Sequence, residues 1–507
     1  MFASPIPTQM VSNGELLPAR QGEAQRQVEA RIKGLADELG GRQGLDRRRF
    51  LASSAGMAAA FIAMNEVYGP LFSVDKAEAA VPELADERAK ALSSQFIVDP
   101  HTHYIHDNPR PNSPLQIFAD MRNATGKAGY NPDLAKRFQT LADLRLNTYV
   151  KEIFLDSDTK IATLSGAPSD IADDWFLTNE QIAATRASIN HFAGSKRMMS
   201  HLIFTPGAPG WLEAIDRGIE ELKPDGFKGY TIGDNANKAT SRHPWKMDDE
   251  KLVYPAYERF VKAGIRTVAI HKGIFTLSDE KRFPRLTEYA RVDDVGKAAK
   301  DWPQLTFIIY HSGYRYVDPG EPALAAEQFD RTGRMDWVTD VAEIRSKYGV
   351  DNVYGEIGAS FASVCISQPR AAAAMMGTLI RGLGADHVLW GTDSIWFGSP
   401  QWQIEALRRL EIPEDMQRKH GFAPLGPADG AVKNQIFGHN AARLFKLEGL
   451  YSAWQTDRMH EFRLAYAAAG GERSNKVYGL VRKADSFPDA DKREHFAQSD
   501  FKSDGTI

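Results

Sequence analysis

The chain has 507 residues, 43% hydrophobic and 25% charged, with a formal net charge of −4. It can therefore bury a large core, and it lacks the basic excess that would mark a nucleic-acid partner. A single cysteine, Cys365, excludes an intramolecular disulfide and any cysteine-rich metal site.

The first 79 residues read as a leader. Positions before Arg47 are polar, rich in Gly, Gln and Glu, and are expected to be disordered or loosely helical. Asp46-Arg47-Arg48-Arg49-Phe50-Leu51 resembles the twin-arginine export signal. A weakly apolar Ala/Gly/Met-rich stretch follows, and Ala77-Glu78-Ala79 offers a small-residue cleavage site before Ala80. Asn65 and Glu66 interrupt the apolar stretch, leaving it short of the ~20 residues that span a bilayer. The resemblance implies the export machinery as a partner and a periplasmic or extracellular destination. Residues 1–79 are expected to supply neither a barrel strand nor a ligand.

Phe96 to His103 (FIVDPHTH) is an apolar run ending in histidines at i and i+2. Side chains alternate along an extended chain, so His101 and His103 face one way and could chelate a divalent cation. With 13 histidines in the chain this pattern alone is weak. Three later runs share the design: RTVAIHKG (266–273), LTFIIYHSGY (305–314) and HVLWGTDS (387–394) present His271, His311 and Asp393 at strand ends. Convergence of such N and O donors from separate elements is what a metal site requires.

The runs at 96–99, 160–165, 199–205, 226–232, 266–270, 305–310, 352–357 and 388–391 recur with amphipathic stretches between them. That is the pattern of βα units with a parallel sheet buried on both faces. Eight units predict an α/β fold, a closed (β/α)8 TIM barrel over residues 80–447, with its site at the C-terminal strand ends where all four ligand-bearing runs stop.

The motifs DPHTH (99–103), GFKGY (226–230), AIH (269–271), HSG (311–313), GTDS (391–394) and GHNAARLF (438–445) together resemble the amidohydrolase superfamily, in the branch that contains aminocarboxymuconate semialdehyde decarboxylase. The resemblance implies one divalent ion, with His101, His103, His271 and Asp393 as ligands, His311 as acid/base group and Asp393 also catalytic. Three imidazoles and a carboxylate suit zinc best, with manganese or iron as alternatives. Such an ion acidifies bound water to about pKa 7. Hydrolysis of a small molecule is therefore the first expectation, and non-oxidative decarboxylation of an aromatic or unsaturated carboxylic acid is the alternative.

Lys228 stands where two-metal members of the superfamily carry a bridging lysine. Within GFKG it could instead contact an anionic substrate or cap the barrel rim. Glu356 is either a member of a structural ion pair or a site carboxylate. Arg315, after His311, and Trp396, after Asp393, are substrate-binding candidates, since arginine and aromatics suit a planar carboxylate. The loops 104–131 and 234–255 are long enough to form part of a lid. Beyond Leu447, residues 448–507 read as a helical extension, with a helix over Tyr451–Ala469, and a charged tail. This part is a surface extension or a subunit contact that would permit a homodimer.

Overall fold

The computed structural model describes residues 4–10, 13, 15, 19–116, 118–119 and 140–471. Eight parallel strands follow one another around a single sheet: β1 Val98–Thr102, β2 Ile161–Ser165, β3 Met198–Ile203, β4 Gly226–Tyr230, β5 Thr267–His271, β6 Thr306–Tyr310, β7 Val353–Glu356 and β8 Val388–Leu389. Apart from the half-buried first residue of β6, every strand residue is buried, as expected of strands covered by side chains inside and helices outside. The eight-unit α/β barrel expected from the spacing is thus observed.

The ring closes beyond the regular strands. Asp393 N–H donates to the carbonyl of His101 at 3.0 Å, and His103 N–H donates to that of Ser394 at 2.8 Å. Asp99 strengthens the joint from inside, its carboxylate accepting from Thr392 N–H and Oγ. The two ligand-bearing segments at 101–103 and 393 are therefore the seam of the barrel.

Of the two forms expected for the residues before Arg47, disordered or loosely helical, the helical one is seen in the region before β1. It forms helices α1 Glu23–Arg42, α2 Arg47–Leu51, α3 Ser54–Tyr68, α4 Lys76–Ala80 and α5 Pro82–Leu92. Asp46 and Ser53 cap α2 and α3 by accepting from Arg49 N–H and Gly56 N–H. Val28, Ile32 and Leu35 of α1, and residues 55–64 of α3, are buried in the same apolar cluster as the barrel's outer layer. No described helix is long and apolar enough to cross a membrane.

Helix α6, Gln401–Arg409, follows β8 and ties this region down. Arg408 and Arg409 are both buried. Arg408 binds Glu405 and Asp158 at 2.8 Å each, and Arg409 meets Glu78. Glu405 also holds Arg88 of α5 at 2.8 Å. Beside α6, before the starts of β2 and β3, lies α7, Arg458–Ala468, opened by Asp457, which accepts from His460 N–H. Asp457 grips Arg197 at 2.6 Å, and Arg463 reaches Asp158 at 2.9 Å. This helix starts later than the expected Tyr451 because Asp457 supplies its cap. Residues 472–507, and residues 117 and 120–131 of the first expected lid loop, lie outside the described part.

Candidate metal centre

The strand ends deliver their side chains as the i, i+2 spacing requires. His101 Nε2 and His103 Nε2 stand 3.1 Å apart, and Asp393 Oδ1 lies 3.3 and 3.5 Å from them. The other ring nitrogens are engaged: His101 Nδ1 meets Glu356 Oε2 at 3.1 Å, and His103 Nδ1 meets the Ser165 carbonyl at 2.6 Å. The Ser165 carbonyl places the His103 ring proton on Nδ1, and the Glu356 carboxylate does the same for His101 when ionised, which turns each Nε2 lone pair toward the other. Two lone pairs and a carboxylate oxygen at such separations repel unless a cation sits among them. Donors about 2.0–2.2 Å from a tetrahedral ion lie a little over 3 Å from one another. The donor set therefore fits a divalent metal.

Electrostatics agree. Burial pushes His101, His103, His271 and His311 below the ordinary histidine value, His103 to about 3, leaving neutral rings able to ligate. Burial raises Asp393 and Glu356 well above the usual carboxylate range.

Glu356 resolves its two readings as a site carboxylate. Fully buried, it accepts from Gly358 N–H at 2.6 Å and from His311 N–H at 3.1 Å while meeting His101 Nδ1. Gly391 makes room for it, because a Cβ there would fall 1.6 Å from Glu356 Oε1. His311 and Asp393 adopt left-handed backbone, φ 65° and 54°, a conformation that costs non-glycine residues about 1–3 kcal/mol and clusters at functional sites.

His311 lies between the two halves of the site, its ring centroid 5.0 Å from His101 and 4.8 Å from His271. Neither of its ring nitrogens has a hydrogen-bond partner among the described residues. Lys228 Nζ is likewise buried and unpartnered, 3.5 Å over the Tyr310 ring, and burial lowers it to about 7 against the pull of Glu356 and Asp393. Trp396 Nε1 donates to Asp393 Oδ1 at 3.2 Å, and its indole packs against Phe118 and Phe176. Arg315 behaves differently. Its guanidinium pairs with Glu280 at 2.7 Å and stacks over Trp337.

His271 is the ligand candidate whose surroundings the sequence did not anticipate. It groups with His311 and Glu15, and His271 Nε2 lies 3.0 Å from Glu15 Oε2. Asn13 Nδ2 donates to Asp393 Oδ2 at 2.9 Å. Residues 1–79 were expected to contribute no ligand; Asn13 and Glu15 nevertheless reach the site residues, which makes Glu15 a further candidate. Above Glu15 opens a cavity of about 520 Å³, lined also by Phe118, Phe176, Lys238, Asp279 and Arg282. A smaller hollow of about 100 Å³ lies between Trp175, Tyr230 and Trp245; none of the ligand side chains lines either space, and Glu15 is what links the larger one to His271.

No curated protein matches the chain. Solved structures that resemble it include an uncharacterised TIM-barrel protein from Bordetella bronchiseptica, 16% identical over 70% of this chain and 99% of that one, with a TM-score of 0.44. A 2,6-dihydroxybenzoate decarboxylase from Rhizobium is also 16% identical, covering 70% and 100% of the two chains with a TM-score of 0.36. A putative 2-pyrone-4,6-dicarboxylic acid hydrolase from Pseudomonas putida shares 16% identity over 70% and 98%, with a TM-score of 0.37. Residues 98–447 match the family model described as Amidohydrolase, a span that runs from β1 past β8 and takes in every ligand candidate of the barrel; the chain belongs to that family of metal-dependent enzymes.

Proposed function

We propose that the protein is a hydrolase of a small molecule, using one divalent ion held by His101, His103, His271 and Asp393. Zinc is the preferred ion, with manganese or iron as alternatives. The observation that carries this reading is the pair of facing Nε2 lone pairs beside Asp393, with the unpartnered His311 ring next to them. When bound, the ion would supply a Lewis acid that polarises the substrate and acidifies water.

The remaining work falls to side chains. Asp393, raised by burial, accepts a proton more readily than an ordinary aspartate and suits the role of base toward the attacking water. His311, neutral and with neither ring nitrogen partnered among the described residues, takes up the proton that Asp393 removes from water and relays it to the leaving atom. Glu356 fixes the His101 tautomer. Lys228 offers a buried cation to an anionic group on the substrate, and Trp396 walls the aromatic side of the pocket.

Decarboxylation is the second reading, and Lys228 favours it. An unpartnered ammonium beside aromatic rings would seat a planar carboxylic acid, and His311 could deliver the proton that replaces carbon dioxide. The test is product analysis on lactones, amides and aromatic acids in ¹⁸O-water. Label in the product supports hydrolysis; unlabelled product with released carbon dioxide overturns it. Metal analysis accompanies it: His101→Ala and His271→Ala should each lose the ion, and full occupancy in both would refute the ligand assignment.

We also propose export by the twin-arginine route, supported by the exposure of Arg47, Arg48 and Arg49 on the surface of α2. The destination would be the periplasm or the extracellular space, and Leu464, exposed on α7, offers a contact for a homodimer.

A further inference from the structure

The N-terminal segment is seated in the barrel mouth as a ligand would be. Ile6 and Met10 are buried in the main apolar cluster, and Thr8 Oγ donates to Glu29 Oε2 of α1 at 3.0 Å. Gln21 clamps the same carboxylate at 2.7 Å and the Thr8 carbonyl at 3.1 Å, so the segment is anchored on α1. From that anchor Asn13, almost wholly buried, donates to Asp393 Oδ2, and its own Oδ1 accepts from Glu15 N–H at 3.0 Å. That turn aims the Glu15 carboxylate at His271 Nε2, 3.0 Å away and at the floor of the 520 Å³ cavity.

An anion in that place engages His271 Nε2, one of the two nitrogens through which the ring could ligate. The 3.0 Å separation is also close to that of two donors sharing an ion, like the 3.1 Å between His101 and His103. Either way the approach from the cavity is filled by the chain itself. We propose that the N-terminal segment, through residues 4–10, Asn13 and Glu15, is a built-in occupant of the mouth, with Glu15 taking the position that water or a substrate carboxylate needs, so that the full chain is latent until the segment withdraws. This rests on the metal-centre reading above. Cleavage after Ala79 would remove the occupant, which would couple opening of the site to maturation.

The test uses the full chain loaded with manganese(II), the full-length variants Glu15→Gln and Asn13→Ala, and a full chain nicked after folding at a protease site inserted behind the exposed Arg20. Two readouts need no substrate: the relaxation of water protons by the bound manganese, and the rate at which a chelator removes it. If the open state is a minor population, Glu15→Gln and the nicked chain should release metal at least about tenfold faster than the parent and relax water more strongly. Glu15→Gln alone could disturb packing, so the nicked chain provides the independent arm. Equal extraction rates and equal relaxation in all forms, with metal bound in each, would overturn the occlusion while sparing the metal centre. Failure of every form to hold about one manganese per chain would overturn the centre and the occlusion together.

Discussion

Neither nitrogen of the His311 ring has a partner among the described residues, while its main chain is pinned by Glu356, Ser360 and Tyr314, so substitution there should separate chemistry from architecture. His311→Ala should keep its metal and its melting temperature and lose about 10²- to 10⁴-fold in turnover, the usual worth of a positioned acid/base group. Metal lost along with activity would make it a ligand. The five barrel residues of the site were legible because each ends an apolar run, and a strand end in a parallel barrel faces the mouth. Glu356 was half legible: its place was clear, but its partners were not. Arg315 shows the limit of that logic, since a position beside His311 does not fix where a long flexible side chain ends. Asn13 and Glu15 left no signal at all. They sit in no periodic run, and their partners are 380 and 256 residues away.

Helix α6 shows how an element can carry a pH dependence of its own. Burial pushes the Glu405 carboxyl up, but Arg88, Arg408 and Arg409 outweigh it and hold it at about 2, below its ordinary 4.5. A depressed carboxylate stabilises the fold above its unfolded pKa, and that contribution fades as pH falls through the folded value. The melting temperature should therefore drop between pH 4.5 and about 2. Glu405→Gln should flatten that part of the profile and cost about 3 kcal/mol at neutral pH, the lower end for breaking a buried pair, because Asp158 and Glu78 still serve the two arginines. Parallel pH profiles for parent and variant in denaturant titrations would count against this. At the same scale, all eight strands were readable from apolar, β-rich runs. β3, β4 and β8 each stop two residues before their expected ends, at Ile203, Tyr230 and Leu389, and β8 does so where the chain must turn through Gly391 and the left-handed Asp393 to meet β1. The helices before β1 were not readable as barrel packing, since amphipathic and Ala-rich stretches look alike whether they cover a core or precede it.

At the scale of the whole molecule, the exposed arginines of α2 let the proposed export be tested apart from the chemistry. Changing Arg47 and Arg48 together to Lys should strand the chain, folded, in the cytoplasm, because the guanidinium fork that a receptor reads is lost while both charges remain. Normal export of the double variant, measured by cell fractionation, would end the twin-arginine reading. The seam of the barrel bears on when such a chain becomes competent. Asp99 and Thr392, which join its first and last strands, are 293 residues apart, and the hydrogen bonds that close the ring are those of His101, His103 and Asp393. Contacts of such long range form late, after the cost of closing a very large loop has been met. A nascent chain that has not yet emitted its eighth strand thus has histidines but no pocket for them. Ion capture would then report that synthesis and ring closure are finished, giving the cell a chemical signature of a completed barrel.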